Sequence, residues 1–163
     1  MLTLRLTKKM AASLRIPLVL APHPPANPCA DWCCTRFIAS RHSYLLLTNT
    51  TTYFSTVLPA QGLTNEAAFN RGTISGLRRY LTLAGHEFTF DRYIGPEIFQ
   101  VLFRSVNDRR ILGVMNEFVF MAKYYLLDLS PAETSDRLND CPVGPLGGKF
   151  PRDVFPSAGQ ATK

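Results

Sequence analysis

Four polar residues in one stretch of the chain are of types that could do chemistry together. Asp108, Arg109, Asn116 and Glu117 lie in the segment 107–127, whose apolar residues recur with the period of an α-helix. Carboxylates with Arg and Asn are the ingredients of phosphate or metal-assisted hydrolysis. The alternative, which we favour, is structural: Asp108 caps the helix, Arg109 pairs with a neighbouring acid and Asn116 bonds to a backbone loop.

A metal site is the second chemical possibility. Cys29, Cys33, Cys34 and His42 offer the sulfur and nitrogen donors that zinc prefers. No second pair of closely spaced cysteines follows, and Cys141 is remote in sequence. We therefore favour the interpretation in which these cysteines are small buried side chains, and we expect no metal and no other cofactor.

The N-terminal third of the chain is basic. The whole chain has a formal net charge of +6, and residues 1–50 hold six basic residues and one acidic residue. Nucleic-acid phosphates require such residues on one surface, although no dense basic run or known nucleic-acid-binding motif is present. The candidate phosphate contacts are Lys8, Lys9, Arg71, Arg78 and Arg79.

Length and composition predict one folded domain. With 163 residues, 46% of them hydrophobic, the chain can form one substantial core. We expect residues 1–155 to form this domain and the Gly- and Pro-rich end, residues 156–163, to be a disordered tail. No apolar run is long enough for a membrane span. The adjacent Cys33 and Cys34 are an awkward disulfide pair, which favours reduced thiols and a cytoplasmic protein.

The hydrophobic periodicity predicts an α+β fold. We expect a single-layer antiparallel sheet with the helices packed on one of its faces, and we leave the conformation of residues 31–40 open. The predicted elements are strands near 2–6 and 98–104, a hairpin at 42–58, and helices at 64–84 and 108–127.

Several segments together resemble a known family. They read LRLTKK near the start, YLLLTN in the hairpin, NDRRILGVMNEFVFMAKYYL in the long helix and LSPAETSDRLNDCPVGPLG after it. Over roughly residues 1–155 the chain resembles a family of small bacterial proteins classed as a domain of unknown function, and the NDR…LG.MN helix motif is the most specific part. The resemblance implies a stand-alone cytoplasmic α+β domain and supplies no catalytic or binding residues. Typical members read DWHANL or similar, whereas here Trp32 is followed by Cys33 and Cys34.

We therefore expect a non-enzymatic binding or interaction module, whose partner is an unknown protein or a second copy of the chain. Two alternatives stay open: a nucleic-acid-binding protein that uses the basic N-terminal third, and a hydrolase with its site on the 107–127 helix. Salt-sensitive binding to DNA or RNA would favour the first. A concave pocket that holds the Asp108 and Glu117 carboxylates would favour the second.

Overall fold

The computed structural model describes residues 1–19 and 26–158, the last three by their backbone alone. Its strands are β1 (Leu2–Leu6), β2 (Asp31–Ala39), β3 (His42–Asn49), β4 (Ser55–Pro59) and β5 (Val101–Ser105). Its helices are α1 (Lys8–Leu14), α2 (Glu66–Leu83), α3 (Glu87–Thr89), α4 (Arg109–Tyr125), α5 (Pro131–Asn139) and α6 (Pro151–Ala158). The strands form one sheet in the order β4-β3-β2-β1-β5.

The α+β class is confirmed, but the sheet is mixed rather than antiparallel. β1 lies between β2 and β5 and runs parallel to both, whereas β2, β3 and β4 are antiparallel neighbours. Long connections precede β2 and β5, so the chain can cross the sheet and return in the same direction. The hairpin at 42–58 is confirmed as β3 and β4. Residues 31–40 contain β2, and the strand predicted at 98–104 begins at Val101.

The helices cover both faces of the sheet, so the expectation that the two long helices share one face is wrong. α2 packs with Leu4, Trp32 and Leu47 on one face. α4 packs with Cys33 and Leu46 on the other. Successive residues of a strand point to opposite faces, and the central strands are buried on both. Each face therefore needs its own helical layer.

Side chains of α5 close the edge of the sheet at β4. The Asn139 Oδ1 atom accepts a hydrogen bond from the Ser55 N–H at 2.7 Å, and Asn139 Nδ2 donates to the Ser55 carbonyl at 2.8 Å. The Ser135 hydroxyl accepts from the Val57 N–H at 2.8 Å. Unpaired edge groups are a template for pairing with other chains. α5 therefore takes the place that a further strand would occupy.

The C-terminal helix joins the core and shortens the predicted tail. The Phe155 ring lies 4.5 Å from that of Phe54 and 5.9 Å from that of Trp32, measured between centroids. α6 continues to Ala158, so the first three residues of the predicted tail are helical. Residues 159–163 lie outside the described residues. None of the described helices is both long and apolar enough to cross a membrane.

Candidate functional site

A cleft of about 410 Å³ opens where the start of α4 meets the turn between β3 and β4. We call it the main cleft. Its walls come from β1, β2, the β3–β4 turn, the start of α4 and the turn near residue 145. They consist of Arg5, Cys33, Thr50, Thr51, Tyr53, Val106, Asn107, Asp108, Arg110, Ile111, Pro145 and Leu146.

The cleft is open because α4 covers only part of its face of the sheet. α4 packs over β2 and β3. On the same face, β1 and β5 carry the half-buried polar residues Thr3, Arg5 and Arg104, while the leucines of β1 point to the opposite face. A second cleft of about 220 Å³, with Asp31 and Glu97 in its walls, shares Arg5 with the main cleft. The floor beside the start of α4 is therefore polar and charged.

A bidentate ion pair lies at the junction of the two clefts. Arg5 Nε donates to Asp31 Oδ1 at 2.7 Å, and Arg5 Nη2 donates to Asp31 Oδ2 at 2.8 Å. The Asp31 side chain is only 3% exposed. The hydrogen bonds to the Asp31 carboxylate raise the pKa of the Arg5 guanidinium, which is therefore charged at neutral pH. Replacement of buried ion pairs by apolar residues is often neutral or stabilising. The pair is therefore weak evidence for a stabilising role.

Asp108 holds a second arginine at the mouth of the main cleft. As the N-cap of α4, as predicted, it accepts a hydrogen bond from the Arg110 N–H at 2.8 Å. The guanidinium of Arg110 lies 3.4 Å from the same carboxylate. These contacts lower the pKa of Asp108, chiefly through the backbone N–H of Arg110. The carboxylate is therefore ionised at neutral pH.

Asn49 shapes the turn that forms one wall. Its Oδ1 atom accepts from the N–H groups of Thr51 and Thr52 at 3.1 and 2.9 Å, and its Nδ2 donates to the Pro28 carbonyl at 2.7 Å. Tyr53 then adopts a left-handed backbone with φ of 60°, which is rare for an aromatic residue. Such strain concentrates at functional sites. The sequence indicated a turn here, and an Asn before three Thr is the signal of a side-chain-stabilised turn.

Burial fixes the charge state of two more groups in the wall. It raises the pKa of Cys33 to about 12, and the negative charge of Asp31 adds to this effect. It also raises the pKa of Tyr53, with a further contribution from the Asp108 carboxylate. Both groups are therefore neutral near pH 7, and Cys33 is a thiol rather than a nucleophilic thiolate.

The four residues considered for hydrolysis do not lie together in the structure. Asp108 lines the main cleft, and Arg109 is exposed next to it. Asn116 and Glu117 lie on the exposed side of α4, about 12 Å further along the helix at a rise of 1.5 Å per residue. The carboxylate of Glu117 therefore does not join that of Asp108 in this cleft.

The three residues considered for a metal are also apart. Cys29 packs into the core on the α2 side and Cys33 into the core on the α4 side. His42 pairs with Ala39 at the far end of β2, about 20 Å from Cys33 at 3.3 Å per residue. Among residues 1–19 and 26–158, no group of three His, Cys, Asp or Glu side chains is placed to hold a metal ion.

The basic residues considered for nucleic acid lie on α1 and α2, which pack against the same face of the sheet. All five side chains are exposed. Arg71 and Arg78 line a groove beside α2. The remaining three, outside this groove, are Lys8, Lys9 and Arg79.

A family model described as "Domain of unknown function (DUF6933)" covers residues 3–154, which is nearly the whole chain. No curated protein matches the chain.

Proposed function

Because the chain belongs to the family described as Domain of unknown function (DUF6933), its role must be argued from its own site, and we propose that it is a non-enzymatic binding module. The main cleft is the binding site. The ligand is a small organic anion, a carboxylate or a phosphate ester with an apolar part. The module works in the bacterial cytoplasm, where its four cysteines, all free thiols, stay reduced.

The observation that carries this proposal is the main cleft itself, a concavity of about 410 Å³ with Arg5, held by Asp31, in its wall and Arg110 at its mouth. The pKa values of Arg5, Cys33, Tyr53 and Arg110 are raised, and that of Asp108 is lowered. A general acid or base needs a pKa near the working pH. Here every shift is away from neutrality. Such a wall offers a constant pattern of charges and hydrogen-bonding groups, which suits recognition better than proton transfer.

The composition of the wall supports the ligand class. Arg5 is paired with Asp31, so Arg110 is the cation more open to a ligand, and guanidinium groups match the geometry of carboxylates and phosphates. Asp108 holds Arg110 in place, and the two threonine hydroxyls of the turn add hydrogen-bonding groups. An apolar side, which includes Val106 and Ile111, suits an apolar ligand body. The volume lies within the range of small-molecule sites, about 300–1,000 Å³.

Phenyl phosphate and benzoate are suitable probes, with neutral benzamide as the control ligand. Calorimetry at low salt should show that both anions bind with dissociation constants below about 1 mM, and that benzamide binds at least about tenfold more weakly. Arg110→Ala should weaken anion binding at least about fivefold, because it removes a cation from the wall. Arg109→Ala removes the same charge one residue away, outside the cleft, and should change binding less than about twofold. Equal binding of benzamide, or equal effects of the two variants, would refute the proposal.

A second candidate function is binding of single-stranded nucleic acid. It is favoured by the groove of about 660 Å³ between α2 and the start of β5, which contains Arg71, Arg78, Phe90 and Phe99. Of its two rings, Phe99 is 91% exposed and Phe90 is buried, so Phe99 is the ring available for stacking. Cationic side chains beside exposed aromatic rings are what single strands require. Arg78 is partly engaged already, since it lies over the Phe90 ring at 5.5 Å and 3.5 Å from Asp91.

A labelled oligothymidylate tests this candidate by fluorescence anisotropy. We expect binding at low salt that weakens at least about tenfold at physiological salt. Phe99→Ala should weaken binding at least about fivefold, because a stacking ring is lost. Phe88→Ala is the control, since Phe88 is 74% exposed but outside the groove. No binding at low salt, or equal losses in the two variants, would exclude this function.

A further inference from the structure

The exposed side of α4 carries an apolar stripe. Phe120 is 79% exposed, Tyr124 70% and Leu127 64%. Their spacing places them in one line along the helix. Leu127 lies in the turn that follows α4, where its N–H donates to the Tyr124 carbonyl at 3.3 Å. We propose that this stripe is a homodimer interface, in which the α4 helices of two copies pack antiparallel about a two-fold axis beside Phe120.

Gly113 lies at the other end of this stripe, and its own chain gives no reason for a glycine. A Cβ atom at Gly72 or Gly76 would approach Leu63 to 2.5 Å or Leu58 to 2.7 Å, so these glycines allow close packing within one copy. At Gly113 a Cβ atom would meet no atom of the described residues within 4 Å. Glycine inside a helix is destabilising relative to alanine. The close approach of a second chain explains its presence.

A two-fold axis beside Phe120 places the stripe of one copy against the same stripe of the second copy. Gly113 and Leu127 are each seven residues from Phe120, which is about 10 Å in either direction at 1.5 Å per residue. At about 100° per residue, Gly113 lies within roughly 20° of Phe120 around the helix, and the turn after α4 continues in the same direction to Leu127. In an antiparallel pair, Leu127 of one copy therefore covers Gly113 of the other, and Phe120 meets its own counterpart. The contact is the same from both sides, so it closes as a dimer.

Charge favours the same arrangement. α4 begins with Arg109 and Arg110, only one of which Asp108 offsets, and Asp128 lies in the turn after the helix. Antiparallel packing brings Asp128 of one copy toward the arginines of the other, whereas parallel packing would bring like charges together. Beside the stripe, the exposed Glu117 and Lys123 carry opposite charges, so together they add no net charge. The patch is therefore close to neutral on a chain whose net charge is +6, so two copies can meet here without strong repulsion.

The size of the patch indicates a weak dimer. A fully buried aromatic side chain removes about 150–250 Å² from water, so four rings from two copies give at most roughly 600–1,000 Å². The leucines and the flanks of the helices bring the total near about 1,200 Å², the lower limit for stable interfaces. We expect a dissociation constant in the micromolar range or weaker.

Sedimentation velocity of the full chain over a range of concentrations tests the dimer. Phe120→Asp places two like charges at the axis and should weaken association at least about a hundredfold. Phe88→Ala removes an exposed aromatic side chain outside α4 and should leave association unchanged. A wild-type protein that stays monomeric near millimolar concentration would overturn the proposal. So would equal losses in the two variants.

A size swap tests the register of the two helices. Gly113→Leu should weaken association at least about tenfold, because the new side chain collides with Leu127 of the second copy. Adding Leu127→Ala should restore association to within about fivefold of the wild type, because it reopens that space. Circular dichroism of each variant checks that the chain is folded. If the double variant associates no better than Gly113→Leu alone, the proposed antiparallel register is wrong.

Discussion

Asn139→Ala should lower the free energy of unfolding by about 3–5 kcal/mol, because three hydrogen bonds of one buried amide are lost together. Asn139 is 2% exposed. Its amide oxygen accepts a hydrogen bond from the Ser55 N–H, and its amide nitrogen donates to the Ser55 carbonyl and the Tyr80 hydroxyl. Each buried group left without its partner costs about 1–3 kcal/mol. Urea unfolding followed by circular dichroism measures the change.

Two further variants separate hydrogen bonding from packing at this position. Asn139→Asp keeps the shape and the acceptor for the Ser55 N–H but replaces the donor with a second oxygen that faces the Ser55 carbonyl. It should therefore be as damaging as Asn139→Ala. Arg137→Ala, an exposed change on the same helix, should alter stability by less than about 0.5 kcal/mol. If Asn139→Asp were as stable as the wild type, the edge of β4 would not be closed in the way described.

Arg5→Met should lower the free energy of unfolding by about 3–5 kcal/mol, because it leaves the Asp31 carboxylate buried without its bidentate partner. The Asp31 side chain is 3% exposed, so water cannot readily replace the guanidinium. The double variant Arg5→Met/Asp31→Leu should recover most of this loss and come within about 1.5 kcal/mol of the wild type, because both charges go together. Urea unfolding of the single and double variants measures both changes in the free energy of unfolding.

Recovery in the double variant is the decisive part of this prediction. It would mean that the pair is not needed for folding, as the proposed role in binding requires. A double variant as unstable as Arg5→Met would mean that the pair is a structural requirement of the sheet. The argument for a binding site would then lose its main support.

Elements defined by local patterns could be predicted from the sequence. The apolar period predicts α4, and the sequence offers Asn107 or Asp108 as its cap, of which the structure uses Asp108. Ser130 caps α5 by accepting a hydrogen bond from the Glu133 N–H at 3.1 Å, and Ser-Pro-Ala-Glu is a local spacing typical of a helix start. The hairpin followed from two β-rich runs around a polar turn. In each case the deciding interactions lie within a few residues of one another.

The arrangement of the sheet could not be predicted in this way, because it depends on distant segments. β1 pairs with strands that lie roughly 30 and 100 residues further along the chain, and no local pattern indicates that both pairings are parallel. One signal was available: Leu45, Leu46 and Leu47 are consecutive and all buried. A continuous apolar run indicates a strand covered on both faces, so the second helical layer was foreseeable.

The candidate site could be predicted only in part, because its residues also come from distant segments of the chain. Asp108 was singled out, but its partners in the cleft come from separate parts of the chain. Arg5 sits in an alternating strand and meets Asp31 only because β1 and β2 are neighbours. The role of Asn139 depends on the backbone of β4, which carries no side-chain signal. The functional interest of these residues follows from the fold rather than from their spacing.

The most direct test of the binding proposal compares phenyl phosphate titrations of the wild type and of Arg5→Met/Asp31→Leu, followed by the amide NMR signals of the protein. The two proteins have the same net charge, so non-specific attraction of the anion is matched. The wild type should show saturable shifts at Thr50, Thr51 and Asn107, and the folded double variant should show none at these residues. Equal shifts in both proteins, or wild-type shifts confined to the α2 groove, would contradict the main cleft as the binding site.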